Sequence, residues 1–328
     1  MFLLRYYMIS LEDKKALIVT IRCITYNHEI FIRRCLDGFV MQKTNFRFEA
    51  IVHDDASTDG TANIIREYAE KYPEIIKPII ETENQYSKHD GSLIRIMNEH
   101  THGKYVALCE GDDYWTDPYK LQKQVDFLET HSEYSMCFHN AMQHFEDDVD
   151  SSITLGIKED VVFTNVQNRD YTGLEIYKQW IVPTASVVLR KEVLFSELYE
   201  EVKNNRNFVV GDNVLFLTCA ALGKLRGFSD VMSVYRRNND GVVIKTFVTK
   251  DLESSIRIGE SFFFHYLNII KVFGDTYKEE SLKNAELAAY RIMKESRFIR
   301  LRCYLFLLKS YPFTVLRLWR NRIFRHIG

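Results

Sequence analysis

Two pairs of adjacent acids carry most of the chemistry legible in this sequence. Asp112-Asp113 follow a short apolar run in KYVALCEGDDYWTDP (104–118), and Asp54-Asp55 end another in FRFEAIVHDDASTDGT (46–61). Packing does not ask for two carboxylates at the end of a buried strand. A hydrated divalent cation carrying a diphosphate does, because Mg2+ and Mn2+ take hard oxygen donors and bridge carboxylate to phosphate. Bound there, the cation neutralises charge that grows as a diphosphate leaves. Taken alone, Asp112 and Asp113 serve equally well to cap a turn before Trp115; the second pair, on another strand end, tips the reading to a metal. An acid at the end of the first run can accept the N–H of a pyrimidine ring, while its neighbour contacts the ribose or supports it. Ser57 and Asp59 suit the capping of a following helix.

The elements that must hold these acids follow from hydrophobic periodicity. Residues 17–25 (LIVTIRCIT) form a buried, β-branched strand, and 46–53 a second. Between them, Phe31, Cys35 and Phe39 make one stripe of a helix over 29–41, with Ile32, Leu36 and Val40 beside it. A helix is expected over 62–72, a strand over 75–80, a helix over 90–101 and a strand over 104–109. Asp117-Pro118 open a helix through about 131, Asp as cap and Pro in the first turn. This alternation predicts an α/β fold, a parallel sheet wrapped by helices. In such folds ligands bind at the carboxyl ends of the strands, where both acid pairs sit. Beyond 135 the pattern loosens: SMCFHNAMQHF and TASVVLR read as strands, 146–160 as an acidic mobile loop, and 212–222 as a helix. From about 250 long helical stretches dominate. The expected organisation is a catalytic-type domain over 1–245 and a helical, basic region over 246–328.

The bulk composition narrows the class. The chain has 328 residues and is 46% hydrophobic, so it can bury a full core and is not a disordered chain. A net charge of −2 argues against nucleic-acid binding by the molecule as a whole. The six cysteines include no CxxC pair, which suits reduced, buried thiols in a cytoplasmic protein rather than a zinc or redox motif. MFLLRYYMISLEDKK does not read as a signal peptide, and no run of 18 apolar residues predicts a membrane span. Residues 291–328 carry ten Lys or Arg against one acid, Glu295, interleaved with leucines and aromatics. Three readings of this tail stay open: helices packed on the domain, contact with an anionic membrane at the inner face of the cell membrane, or homo-oligomerisation.

ITYNHE (24–29), HDDASTDGT (53–61) and CEGDDYWTDPYKLQKQVDFLE (109–129) together resemble family 2 glycosyltransferases of the GT-A fold, over roughly residues 15–245. The resemblance implies transfer of a sugar from a nucleotide diphosphate donor, UDP-sugar favoured, with inversion and with Mg2+ or Mn2+. It implies a base-binding loop at Ile24, Thr25 and Tyr26, with Tyr26 stacking on the base. Asp55 matches the uracil-contacting acid, with Asp54 beside it. Asp112 and Asp113 match the DXD-type motif, Asp113 as the direct metal ligand. Arg95 falls where the family often has a basic residue near the donor phosphates, and reads as well as a solvated helix-face arginine. Asp212, in NFVVGDNVLFL after an apolar strand and a Gly, matches the general base, whose bland counterpart is a helix N-cap.

Pro183, Thr184 and Ser186 fall in the segment that forms part of the acceptor side. Asn238 stands where relatives commonly carry His, and Arg236 and Arg237 offer compensating contacts to phosphate oxygens. His28, His53 and His139 read as structural or supporting. The expected partners are the nucleotide-sugar donor and a glycan or lipid-linked acceptor of bacterial surface polysaccharide synthesis, and no nucleic acid. A sugar-1-phosphate nucleotidyltransferase would need a Gly-rich phosphate loop near the N-terminus, which CITYNHE lacks. The alternative of a different class is an inactive scaffold of the same fold that binds partners or membrane through its tail.

Overall fold

A computed structural model describes residues 16–146, 160–237, 252–295, 301–310, 312, 313 and 316. They fall into two compact units, one of residues 1–200 with 215–238 and one of 201–214 with 239–328.

The first unit is built on one ten-stranded sheet. Its first half is parallel: β1 (Leu17–Thr25) lies between β2 (Arg47–Asp54) and β4 (Tyr105–Leu108), and β3 (Ile76–Ile80) extends β2. The buried strands are nearly continuous runs of Val, Ile, Ala and Cys, as strands covered on both faces must be. Beyond β4 the sheet mixes direction. β5 (Tyr114–Trp115), β6 (Tyr134–Phe145), β7 (Val161–Val162), β8 (Asp170–Tyr171), β9 (Val188–Arg190) and β10 (Lys224–Arg237) complete it. β9 runs antiparallel between β4 and β6, β10 is parallel to β6, and β5 is antiparallel to β10.

Helices Glu29–Val40, Thr61–Lys71, Ser92–Glu99 and Lys120–Thr130 connect the strands. The first buries the expected stripe of Phe31, Ile32, Cys35, Leu36 and Phe39. It comes so close to β5 that a Cβ on Gly38 would lie 2.9 Å from the Trp115 amide nitrogen. That contact needs glycine for want of space.

Several boundaries differ from expectation. The helix after the second acid pair begins at Lys120, not at Asp117-Pro118: Asp117 Oδ1 instead accepts the Tyr119 N–H at 2.7 Å in the preceding turn. TASVVLR splits into a 3-10 turn at Thr184–Ser186 and β9, because Pro183 and the Ser186 hydroxyl close a local turn. No strand precedes Asp212; residues 207–210 are turn and coil, and helix Gly211–Leu222 follows directly. Most of the acidic segment 146–160, Asn238, and most of the basic tail lie outside the described residues.

The second unit contains helices Leu252–Phe273, Lys278–Glu295 and Leu301–Ser310. Ile256, Phe263, Ala285, Ala289, Ile292 and Cys303 form its core. Among the described residues no helix is long and apolar enough to cross a membrane. All six cysteines are buried and unbridged.

Candidate active site

The parallel register brings both acid pairs to one edge. Thr25, the last residue of β1, is level with Asp54, the last of β2. On the other side of β1 the chain leaves β4 but keeps bonding to it: Cys109 N–H donates to Arg22 O at 3.2 Å and Gly111 N–H to Ile24 O at 3.0 Å. The Asp112-Asp113 turn therefore sits against the end of β1. A Cβ on Gly111 would lie 2.6 Å from Thr25 Cβ and Oγ1 and 2.9 Å from His28 Nδ1, so only glycine lets this turn approach. β2 and β4 leave β1 on opposite sides, which is the topological switch point of an open α/β sheet.

The two loops on the β1–β2 side are laced together. Asn27 takes a left-handed conformation (φ 54°); its N–H donates to Ser57 Oγ at 2.8 Å and its Oδ1 accepts the Thr58 N–H at 2.8 Å. His28 N–H donates to Thr61 Oγ1, and Glu29 N–H to Asp59 Oδ2. Ser57 does not cap the following helix as expected: its hydroxyl donates to Asp54 and accepts the Asn27 N–H, and of the two only Asp59 reaches the helix start. Asp59 holds the first N–H groups of two helices, Thr61 through Oδ1 and Glu29 through Oδ2. These charge-assisted bonds hold its carboxyl below the usual carboxylate range, against a desolvation that acts the other way. Ala56 is also left-handed (φ 62°), a strained conformation for a residue with a Cβ, and it lies directly after the acid pair.

The four acids differ in their surroundings. Asp54 is buried and receives the Ser57 hydroxyl; burial pushes its carboxyl up, and Ser57 partly offsets the shift. Asp55 is buried too. Its Oδ1 accepts the Gln85 N–H at 2.6 Å, its Oδ2 the Tyr86 N–H at 3.0 Å, and its backbone O the Asn84 amide at 3.0 Å. It therefore anchors the 84–86 loop over the sheet end while keeping spare lone pairs. His53 lies buried beside both, with Nε2 3.4 Å from Glu81 Oε1. Burial pulls its imidazole pKa down, against the charges of Asp55, Glu81 and Asp54.

Asp112 is partly exposed, with Oδ2 4.0 Å from His28 Nε2. Asp113 is buried: Oδ1 accepts the Arg236 N–H at 2.9 Å, and Oδ2 has no hydrogen-bond partner. Burial, then the charge of Asp112, pushes its carboxyl well above the usual range; Glu110 adds to the rise and Arg236 opposes it.

The orphaned Asp113 Oδ2, with the Asp112 carboxylate next to it in the chain, offers hard oxygen donors short of positive charge, which suits Mg2+ or Mn2+; among the described residues no group of three or more His, Cys, Asp or Glu side chains is gathered closely enough to hold a metal ion. His28 and Asn27 were undervalued by the sequence reading, although Asn at a loop apex is a common left-handed residue.

The remaining predicted residues distribute as follows. Ile24 is half-buried against Ile51, Leu93 and Met97, and Thr25 is buried. Tyr26 is 46% exposed and follows Thr25, which pairs with Asp54 and accepts the Asp55 N–H. The Arg95 guanidinium turns onto its own helix start, donating to Asp90 O at 2.7 Å, 3.8 Å from the Asp90 carboxylate. The Arg236 guanidinium pairs with Glu146 and lies over Phe31 and Tyr114, and Arg237 lies over Phe163 and Tyr235. Asp212 is half-buried in the first turn of helix Gly211–Leu222, where its Oδ1 accepts the Asn213 N–H at 2.7 Å; it belongs to the second unit.

Comparison with known proteins gives a consistent result. The profile of glycosyl transferase family 2 matches residues 20–194. An uncharacterized protein of Mycobacterium tuberculosis is 36% identical over 224 residues, which is 68% of this chain and 60% of that protein. The chain thus spans about 60% of the length of the first curated relatives it matches. Among solved structures, residues 1–349 of Staphylococcus aureus TarS in complex with UDP-GlcNAc superpose with a TM-score of 0.56 at 15% identity, covering 93% of this chain and 90% of that one. The mannosyltransferase PcManGT from Pyrobaculum calidifontis, in complex with GDP-Man and Mn2+, gives a TM-score of 0.50 at 18% identity, covering 94% and 84%. At these identities the two structures share the fold.

Proposed function

The chain belongs to glycosyl transferase family 2, with the GT-A fold, and we propose that it moves a sugar from a nucleotide diphosphate donor, UDP-sugar favoured, to a glycan or lipid-linked acceptor. The observation that carries this reading is the convergence of both acid pairs on the end of β1, one pair from each parallel neighbour. In this reading the base stacks on Tyr26 beside Ile24 and Thr25, and Asp55 accepts its ring N–H with Asp54 in support. Asp113 and Asp112 would hold Mg2+ or Mn2+, which would supply positive charge at the donor diphosphate. PcManGT, described with GDP-Man and Mn2+, is a precedent for the pairing of such a donor with such an ion. Arg95 reaches the donor phosphates if its exposed side chain leaves Asp90.

Asp212 takes the proton of the acceptor hydroxyl as that oxygen attacks the anomeric carbon. The bond to the leaving phosphate oxygen breaks on the opposite face. A single base without a second carboxylate nucleophile gives one in-line displacement and inversion. Surface polysaccharide synthesis, with the basic 291–328 tail at the inner face of the cell membrane, is the setting this reading favours. The domain boundary near 245 is part of the same proposal.

The test is a thermal-shift panel of nucleoside diphosphates and nucleotide sugars, with and without Mn2+. A ligand that binds only the folded state raises the midpoint by mass action. A Mn2+-dependent shift with UDP, absent in Asp113→Ala, is expected. No shift with any nucleotide would move the weight to an inactive scaffold. A product that retains the donor's anomeric configuration, read by NMR, would refute the single displacement.

A further inference from the structure

We propose that Trp180, held on the stacked pair Phe163 and Tyr235, is the surface on which a pyranose ring of the acceptor glycan packs. This rests on the transferase reading and adds an acceptor subsite to it. Phe163 and Tyr235 stack with centroids 5.1 Å apart and planes 11° apart. Trp180 crosses both at 71° and 75°, with centroids 5.1 and 5.6 Å away. The Arg237 guanidinium lies 5.0 Å from the Tyr235 centroid and 5.6 Å from that of Phe163. Two rings, themselves stacked and capped by a cation, thus hold the indole in place, yet 43% of Trp180 stays exposed. A large aromatic that is held rigidly and left in water is an arrangement that binding explains better than folding does.

Position gives the surface its role. The antiparallel ladder of β5 and β10 pairs Val234 with Tyr114, so Tyr235 is the next step along, towards Asp113. The following residue, Arg236, donates its N–H to Asp113 Oδ1. The aromatic cluster therefore begins beside the acids assigned to the donor diphosphate, in the same unit.

A pyranose ring has one face of axial C–H groups that is apolar and weakly positive. It complements the negative face of an indole, while hydroxyls on its rim stay hydrated. A nucleobase also stacks on tryptophan, but in this reading the base lies at Tyr26, between β1 and β2.

The experiment uses the full chain with UDP and Mn2+, and methyl glycosides of glucose, galactose, N-acetylglucosamine and rhamnose as probes. Saturation-transfer NMR reads contact to the pyranose C–H protons, and calorimetry reads UDP affinity. At least one glycoside is expected to show ring contact in the wild type. Its binding should weaken on the order of tenfold in Trp180→Ala and recover in Trp180→Phe, with UDP affinity within about twofold of wild type. Trp180 is exposed, so the alanine variant should fold, and UDP binding reports that it has. No ring contact for any glycoside in the wild type, or equal contact in Trp180→Ala, overturns the proposal. A parallel loss of UDP affinity overturns it in favour of a donor contact. A wild type that binds no nucleoside diphosphate sinks the transferase reading itself, whatever the glycosides do.

Discussion

Lys120 offers a quantitative test of how the core beneath the acid motif is held. Its side chain is fully buried, with Nζ 4.2 Å from the Trp115 ring centroid and donating to Gln124 Oε1 at 2.8 Å. Burial pulls its amine from 10.5 to about 7, and the thiols of Cys109 and Cys137 only partly oppose the shift. Between about pH 7 and 10.5 the unfolded chain therefore binds more protons than the folded one, so stability rises with pH across that window. Below about pH 7 the full cost of the buried charge is present. At about 1.4 kcal/mol per pH unit, with half-titration at the lower end, this group returns about 2 kcal/mol between pH 7 and 9.

Lys120→Met preserves length and volume but removes the titration. It also leaves Gln124 Oε1 without its donor, a cost of about 1–3 kcal/mol at every pH. The informative quantity is therefore the gap between variant and wild type, measured by urea unfolding at pH 7, 8 and 9. The gap should move in favour of wild type by about 2 kcal/mol from pH 7 to 9. Two parallel pH profiles would refute the claim that a near-neutral amine is buried here. The link to function runs through Trp115, whose Nε1 donates to Ala185 O at 2.8 Å, and Gln124, whose Nε2 donates to Ser186 O at 2.9 Å. Together they tie the acid-bearing turn to the Thr184–Ser186 turn on the expected acceptor side.

Three further outcomes follow from the site. Asp212→Asn should lower kcat by roughly 10²–10⁴ with UDP affinity unchanged; turnover near wild type would place the base elsewhere. Gly111→Ala forces a Cβ to 2.6 Å from Thr25, so the turn must shift. That should cost about 1–3 kcal/mol of stability and at least about tenfold in Mn2+-dependent UDP affinity, which corresponds to a shift of about 1.4 kcal/mol; an unaltered UDP-induced thermal shift would contradict it. Ser57→Ala removes the hydroxyl that bonds Asp54 and accepts the Asn27 N–H. A loss of about 1–2 kcal/mol is expected in thermal melts, and an unchanged midpoint would show the loop lacing to be dispensable.

The first half of the fold was legible because its strands are buried on both faces. A run such as LIVTIRCIT needs no partner information to be recognised, and the helix stripe of Phe31, Cys35 and Phe39 fixes its own period. β5, β7 and β8 were not legible, since two residues each cannot show a period of two. Asp117-Pro118 misled because a local cap signal competes with tertiary contacts: Lys43 N–H bonds Pro118 O at 2.7 Å and the Gln42 amide bonds Asp117 O at 2.9 Å, which keeps that stretch out of the helix. Within the site, adjacency made the acid pairs conspicuous. The clamp of Gln85 and Tyr86 on Asp55 joins residues 30 and 31 positions apart, and nothing in either segment announces the other. Trp180 was passed over for the same reason, because its partners lie 17 and 55 residues away in sequence.

What the sequence cannot express is cost. Asp113 has a carboxylate oxygen with no hydrogen-bond partner, in a buried position and within reach of the charges of Asp112 and Glu110. Each of these features disfavours the folded state, and a neutral residue would relieve all of them. The surroundings hold the group in place nonetheless: the Arg236 N–H fixes Oδ1, Trp115 pins the next strand to Ala185, and Gly111 lets the turn lie against Thr25. Three independent contacts that keep an unfavourable carboxylate in one position are poor economy for a purely structural protein. They are what a site must have if its charge deficit is to be met by a cation and a diphosphate at the moment of binding.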